Sequence, residues 1–356
     1  MAIVQTLILL SVLVIIHELG HFLAARLFGV RVLEFAVGFG PVVAKTVRHG
    51  TQYALRAIPM GGFVKLAGME MAVEGETEPV EADDPASMAN QPAWKKALIV
   101  MAGPVNNLIL AALTITVMLA VVGVPRATEK RSIIGFVDPK TPGYEAGLST
   151  GDRVVACNGQ PIALWEELAK AIRGSKGRPV TLLINREGRT FSRTITPFYD
   201  PMFKAYRLGI AAKQFYQRLP LGQSVLIGVT SIYWGSVNIV QMIVAGLTGR
   251  ARVPLAGPVG MVGMVGESVK AGAASVFNLI ASLNLFLGLF NLLPIPLPLL
   301  DGGWVVIYLL ERLRRREFTA EQKAAAQLLG LLILGSFFLF VTYGDLVTGI
   351  RRFMNR

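Results

Sequence analysis

Cysteine is almost absent from this sequence, and charged residues are scarce. Cys157 is the single cysteine, which excludes a disulfide framework and a cluster of thiolate metal ligands. Only 16% of the 356 residues are charged and 53% are hydrophobic, a balance outside the range typical of soluble proteins. The composition therefore predicts a membrane protein with room for several spans and a small soluble domain.

Acidic residues are fewer than basic ones. The chain has 23 aspartates and glutamates against 35 lysines and arginines, and its net charge is +12. No basic stretch is interleaved with aromatic residues, so we predict no nucleic-acid partner. In a hydrophobic chain such an excess more often places lysines and arginines beside membrane spans, which indicates the lipid bilayer as a partner.

Histidine is also rare, yet two of the three histidines lie in one His-Glu-x-x-His pattern at residues 17–21. On a helix, His17 and His21 share a face, so both imidazoles can bind one metal ion. Zinc held in this way keeps a position for water, and Glu18 is the candidate catalytic base. A pattern this short also arises by chance, so its surroundings have to decide between a metal site and a structural role.

The surroundings favour the metal. The pattern lies in an apolar stretch of about residues 2–25, where only Gln5, Thr6 and Ser11 are polar before His17. Two histidines and a glutamate are costly to bury in a membrane helix unless they are paired or bind a ligand. We therefore predict Zn2+ as cofactor, bound by His17 and His21 within the membrane.

Four stretches have the length and hydrophobicity of transmembrane helices, at about residues 2–25, 97–122, 273–293 and 324–347. Between the first two, short strand-like runs separated by glycine and proline predict a membrane-associated β-hairpin region. It could be an ordinary hairpin. We favour a strand edge beside the metal that pairs with an extended substrate, because a protease has to unwind a helical substrate.

The second of these stretches contains residues that are unusual in lipid. Ala102-Gly103-Pro104 is followed closely by Asn106 and Asn107. Small residues allow close contact between helices, and buried asparagines need hydrogen-bond partners within the bundle. These residues could serve packing or could contact a substrate, and packing is slightly favoured.

A candidate third metal ligand follows a proline-rich break between the last two stretches. Pro294, Pro296 and Pro298 interrupt the helix just before Asp301. Irregular backbone in a membrane is tolerated only against protein or a water-filled cavity, so this break is expected to line the active site. Asp301 would then join His17 and His21, because catalytic zinc usually has three protein ligands. Alternatively, Asp301 caps the following helix.

A soluble α+β module is predicted for residues 128–198. Strand-like Ile133–Val137, the run Pro-Gly-x-x-Ala-Gly-Leu-x-x-Gly-Asp at residues 142–152, and the helix-like Trp165–Arg173 resemble a bacterial PDZ domain. Domains of this kind hold extended peptides along a strand and a helix, here Ile133–Val137 and Trp165–Arg173. The alternative is a rigid spacer with an unused groove.

The following segment, residues 199–271, is predicted to be a linker and an amphipathic interfacial helix, because Ser224, Ser231, Asn238 and Gln241 form one polar stripe. The predicted fold is thus an α-helical polytopic membrane protein with four transmembrane helices, a membrane-associated β-hairpin region and one inserted α+β PDZ-like domain. Its predicted divisions are residues 1–127, 128–198, 199–271 and 272–356.

Charged residues beside the spans predict the orientation. Arg26 and Arg31 follow the first span, and Lys95 and Lys96 precede the second. Lysine and arginine are enriched in cytoplasmic loops, so we place the active site near the cytoplasmic side. The PDZ-like module then lies on the outer side.

The chain resembles the site-2 protease family of intramembrane zinc metalloproteases, in the bacterial branch of the RseP and RasP regulators. The similarity extends over nearly the whole chain. The motifs that carry it lie at residues 17–22, 38–41, 59–65, 102–107, 291–296 and 300–303, together with the PDZ-like module. Two features depart from the family: two extra residues precede Asp301, and there is room for one PDZ domain where many relatives have two.

The resemblance implies cleavage of single-span membrane proteins, such as anti-sigma factors or remnant signal peptides, in regulated intramembrane proteolysis. An upstream site-1-type protease would trim the same substrate first, and the enzyme would be a multi-pass protein of the bacterial inner membrane. Asn291, Gly61, Gly62 and Phe63 are candidate substrate-binding residues. The alternative function is that of a pseudoprotease, a membrane PDZ adaptor that binds substrates without cutting them.

Overall fold

The computed structural model describes residues 2–69, 84–125, 132–201, 203–213, 215–250 and 257–354. The chain divides into two compact units. The first, which we call the helical unit, comprises Met1–Val121 and Pro220–Arg356. The second, the inserted unit, is Val122–Leu219. The first four residues of the module predicted at 128–198 lie outside the described residues.

The elements follow one another along the chain in three groups. Before the inserted unit come α1 (Ala2–Leu27), β1 (Val32–Arg48), β2 (Thr51–Leu66) and α2 (Ala93–Val117), which continues as a π-helical turn (Met118–Val122). The inserted unit contains β3 (Val124–Pro125), β4 (Ile134–Val137), α3 (Pro142–Glu145), β5 (Arg153–Cys157), β6 (Gln160–Pro161), α4 (Trp165–Gly174), β7 (Val180–Arg186), β8 (Arg189–Ile195), β9 (Phe198–Asp200), β10 (Ala205–Arg207), β11 (Ile210–Ala212) and β12 (Tyr216–Gln217). After it come α5 (Leu221–Leu247), α6 (Pro258–Ala271), α7 (Ala273–Asn291), α8 (Asp301–Arg314) and α9 (Ala320–Met354).

Small residues bring the helices of the helical unit into close contact. Gly20 of α1 lies directly against the backbone of Ala102 in α2, where a methyl group would overlap the carbonyl. On another face of α2, a Cβ at Gly288 of α7 would lie 2.9 Å from the carbonyl oxygen of Pro104. Such glycines allow backbones to approach in membrane helix pairs. They place α2 between α1 and α7.

Five described helices are long and apolar enough to cross a membrane, namely α1, α2, α5, α7 and α9. The chain is therefore a polytopic membrane protein, but the predicted number of four spans is not confirmed. The difference is α5, for which we predicted an interfacial position from its polar stripe. Ser224 of that stripe is fully buried, and Gly228 packs against Ala112 and Thr116 of α2. Part of the polar stripe thus serves helix packing.

The predicted β-hairpin is present as two long strands that fold into a small sheet. Residues 42–48 of β1 pair with residues 51–56 of β2 around the hairpin turn. Residues 32–37 of β1 pair both with residues 52–55 and with residues 62–66 of β2. Residues 62–66 therefore form an outer strand of this sheet, and this strand borders the candidate site.

The inserted unit is built around a four-stranded sheet in the order β6-β5-β7-β8. Its core includes Val154, Leu182 and Ile184 of the sheet and Leu168 and Ile172 of α4. Alternate residues of β7 are buried, as expected for a strand with one face on a core. The α+β character predicted for this region is therefore observed.

Two predictions for this region are wrong. Residues 199–219, predicted as a linker, contain β10, β11 and β12, because β11 returns to pair with β4 and Leu208 joins the core. The predicted groove strand, Ile133–Val137, pairs with β11 and is bridged at Ile133 to Arg153, and none of its residues lines the cavity beside α4. Instead, a cavity of about 310 Å³ lies between α4 and residues 203–210.

Candidate metal centre

Three potential metal ligands converge in the helical unit. Nε2 of His17 lies 3.2 Å from Nε2 of His21, one turn further along α1. Asp301, the first residue of α8, places Oδ2 3.0 Å from His17 Nε2 and Oδ1 3.6 Å from His21 Nε2. One ligand atom from each residue lies within 4.8 Å of the others. A single ion could therefore contact all three side chains.

The path of the chain before α8 explains how Asp301 reaches this point. Ile295 donates its N–H to the carbonyl of Leu293, and Leu297 donates to Ile295, so two consecutive tight turns shorten the proline-rich segment. Leu300, rather than Asp301, is the cap residue of α8, and no side chain caps this helix end. The alternative role of Asp301 as a helix cap is therefore not observed.

Glycines after Asp301 make this compact path possible. A Cβ at Gly302 would lie 2.7 Å from the carbonyl oxygen of Leu292, and one at Gly303 would lie 2.8 Å from that of Ile295. Real side chains do not tolerate such approaches to backbone oxygens. The glycine pair thus lets the loop fold over the first turn of α8 and holds Asp301 beside α1.

The donor set fits a zinc ion. Two imidazole nitrogens and a carboxylate oxygen are common ligands of catalytic zinc, and they leave a fourth position for water or substrate. Nδ1 of His21 lies 3.0 Å from the carbonyl of Ile99, which can only accept a hydrogen bond. The proton of His21 is therefore on Nδ1, and the lone pair of Nε2 points toward His17 and Asp301. A cation between these atoms would relieve the repulsion among their lone pairs.

Glu18 is held at the edge of this centre by the outer strand of the sheet. Its carboxylate accepts a hydrogen bond from the backbone N–H of Val64, and it lines the same cavity as His17 and Asp301. A carboxylate in this position can take a proton from a water molecule beside the ligands. The structure thus places the predicted base next to the predicted ligands.

The centre opens into a cavity of about 610 Å³. Of the predicted substrate-binding residues, Phe63 and Asn291 line it, whereas Gly61 and Gly62 are not among the described lining residues. Gly62 instead lies against the backbone of Ala36, and Gly61 adopts a positive φ of 78° beside Phe39. These two glycines shape the strand, and Phe63 reaches the cavity.

Three further residues contribute to the site and were not assigned to it from the sequence. Gln327 of α9 lines the cavity. On α2, a Cβ at Gly103 would lie 2.9 Å from Nε2 of His17 and closer still to that of His21, and Asn107 contacts the His17 ring. The only sequence signal was the occurrence of glycine and asparagines in an apolar span, which was also compatible with helix packing.

Comparisons with known proteins also indicate a zinc-dependent protease, and they cover nearly the whole chain. Peptidase family M50 matches residues 5–337. A Clostridium acetobutylicum protein assigned by name to the zinc metalloproteases is 31% identical over 346 residues, covering 97% of each chain. A Brucella suis protein assigned in the same way is 31% identical over 363 residues, covering 97% of this chain and 94% of its own.

The metalloprotease MmpA of Caulobacter vibrioides is 31% identical over 381 residues, which cover 96% of this chain and 94% of that protein. These relatives extend across both units, and their names agree with the two-histidine, one-aspartate centre with its adjacent glutamate. The chain belongs to peptidase family M50, the site-2 protease family, and is a zinc metalloprotease of the membrane.

Proposed function

We propose that this metalloprotease is an intramembrane endopeptidase that cleaves single-span membrane proteins in regulated intramembrane proteolysis. One observation carries the proposal. His17, Glu18 and His21 lie on a helix long and apolar enough to cross a membrane, and they face a cavity lined largely by apolar side chains. A substrate that reaches this cavity has to be compatible with hydrocarbon, as a transmembrane segment is.

The chemistry follows from the side chains around the cavity. His17, His21 and Asp301 would hold zinc, which when bound supplies a Lewis acid for the peptide carbonyl and makes water easier to deprotonate. Glu18 takes the proton of the attacking water and can return it to the leaving amine. Its hydrogen bond from Val64 keeps the carboxylate beside the ligands through both transfers.

The outer strand of β2 is the proposed binding edge for the substrate. Residues 62–66 pair with β1 on one side, and Phe63, Val64 and Leu66 line the cavity on the other. An extended peptide can add to such an edge through backbone hydrogen bonds. Because the Val64 N–H already binds Glu18, a substrate strand would pair with the remaining backbone groups of this outer edge. Asn291 would supply a further hydrogen bond.

We place the enzyme in the bacterial inner membrane with its active site toward the cytoplasm. Arg26 is in the last turn of α1, and Arg31 follows this helix. Lys95 and Lys96 are in the first turn of α2. These basic residues therefore flank the segment between the two helices, which supports this orientation. The substrates would be of the anti-sigma factor or remnant signal peptide type, after an upstream site-1-type protease has removed their outer domains. A pseudoprotease function is not favoured, because the ligand set and Glu18 are both in place.

The direct test is a cleavage assay in proteoliposomes with a single-span substrate that lacks its outer domain. Mass spectrometry of the products is expected to locate the cut peptide bond within the transmembrane segment. Glu18→Gln serves as the inactive control. Cleavage only outside the span, or only of soluble peptides, would show that the enzyme is not an intramembrane protease.

The inserted unit is proposed to be a PDZ-like filter on the outer side. Its cleft between α4 and residues 203–210 has an apolar floor that includes Ile172 and Leu208 and a basic residue, Arg173, at its rim. Such a cleft suits the end of a trimmed peptide. We infer that the unit restricts access to substrates whose outer domains have been removed.

Deletion of residues 122–219 is expected to retain cleavage of a trimmed substrate and to permit cleavage of the untrimmed protein. A short linker suffices, because Val124 and Gln217 are paired and the ends of the unit lie side by side. The rates for both substrates would be compared with those of the full chain. If a folded deletion variant loses activity on the trimmed substrate, the unit is not a filter.

A further inference from the structure

Asn107 of α2 is completely buried and contacts a metal ligand from behind. Its side-chain exposure is 0%, and its amide nitrogen Nδ2 lies 3.0 Å from Nδ1 of His17. In this orientation the amide oxygen Oδ1 has no hydrogen-bond partner among the described residues. A buried amide oxygen without a partner is unfavourable, and its free energy is lowered if it accepts a hydrogen bond.

The orientation of this amide determines which nitrogen of His17 can bind a metal. If Nδ2 donates to Nδ1, Nδ1 carries the lone pair and Nε2 carries the proton. Nε2 is the nitrogen that lies 3.0 Å from Asp301, and a protonated nitrogen cannot be a ligand. Turning the amide by 180° fills the same space and puts Oδ1 on Nδ1, where it accepts the Nδ1–H.

We propose that Asn107 is a positioning residue for the metal site: Oδ1 accepts the Nδ1–H of His17 and fixes the tautomer that presents Nε2 to zinc. This arrangement gives Oδ1 a partner and moves the unpartnered end of the amide to Nδ2, so the support for it is the tautomer of His17 that a metal requires. It parallels His21, whose Nδ1–H donates to the carbonyl of Ile99. The proposal rests on the zinc site formed by His17, His21 and Asp301. Both histidines would then be oriented from the same helix, α2.

The packing of α2 on α1 sets the distance over which Asn107 acts. Asn106 donates to the carbonyl of Ile16 at 2.5 Å, which links the two helices one residue before His17. Gly103, one turn before Asn107, brings α2 close enough for the amide to reach the ring. Partners that orient a ligating histidine in this way commonly change metal affinity by about 10- to 100-fold.

The test compares the zinc affinity of the purified full chain with that of Asn107→Leu, by competition with a chelator in detergent. Leucine fills the site but accepts no hydrogen bond, so zinc affinity is expected to fall by about 10- to 100-fold. Asn107→Ala, which removes the acceptor without adding bulk, gives the same comparison if the leucine variant does not fold. Thermal unfolding confirms that each variant is folded.

Rescue distinguishes positioning from packing. Asn107→Asp keeps an acceptor of the same size and is expected to retain zinc affinity close to that of the wild type. Asn284→Leu is the matched control, because Asn284 is equally buried in α7 but, among the described residues, its amide donates to its own helix, at Ile280. The control variant is expected to bind zinc as the wild type does. The visible spectrum of the Co2+-substituted protein is expected to change in Asn107→Leu and to stay unchanged in Asn284→Leu.

The outcomes separate the inference from the metal assignment. If the wild type binds no zinc, the metal site itself is wrong. If the wild type binds zinc and Asn107→Leu binds it equally well, only the positioning role is wrong. Equal losses in Asn107→Leu and Asn107→Asp, or an equal loss in Asn284→Leu, would also contradict it.

Discussion

Glu18→Gln is expected to abolish peptide cleavage while zinc remains bound. The amide has nearly the shape of the carboxylate and can still receive the hydrogen bond from Val64. It cannot take a proton from the attacking water, and loss of a general base typically lowers the rate by about 10²- to 10⁴-fold. Cleavage of a single-span substrate in proteoliposomes and zinc content by atomic absorption measure the two effects on the same sample.

The comparison is informative because His17 and His21 stay unchanged in this variant. A variant that retains zinc and cleaves at the wild-type rate would remove Glu18 from the mechanism. A variant that loses zinc would show that Glu18 supports the metal site rather than the proton transfer.

Gly103→Ala is expected to destroy the zinc site without altering any ligand. The new methyl group would lie 2.9 Å from Nε2 of His17 and nearer still to Nε2 of His21, in the space between the ligand nitrogens. Because the clash falls on the atoms that bind the metal, zinc affinity is expected to fall by about 100-fold or more, the upper range for changes around ligands. Activity is expected to fall with it.

A matched control for this substitution is available in α9. Gly335 is also a helical glycine, but a Cβ there would meet nothing within 4 Å. Gly335→Ala is therefore expected to retain zinc and activity. Wild-type zinc affinity in a folded Gly103→Ala variant would contradict the close approach of α2 to the two imidazoles.

The parts of the site that were predicted from the sequence are those set by local spacing. His17 and His21 share a face because they are four residues apart on a helix, and this holds in any tertiary context. Asp301 was identified because three prolines exclude a regular helix before it. Each inference required only the residue types and their distance along the chain.

The contributions of α2 could not be predicted, because they depend on how two helices pack. Asn107 is 90 residues from His17, and nothing in the sequence distinguishes a contact with imidazole from a contact with another helix. The same reason accounts for the inserted unit, where β11 had to be placed beside β4 before the position of the cleft was apparent. For α5, the sequence alone did not show which polar residues would be buried.

X-ray absorption at the zinc edge of the purified, active wild-type protein tests the account most directly. The account predicts one zinc ion per chain, bound only by nitrogen and oxygen at about 2.0–2.2 Å, with the scattering pattern of two imidazoles. Replacing Asp301 with asparagine is expected to alter this shell. An active protein without zinc, or a shell with sulfur at about 2.3 Å or fewer than two imidazoles, would contradict a centre formed by His17, His21 and Asp301.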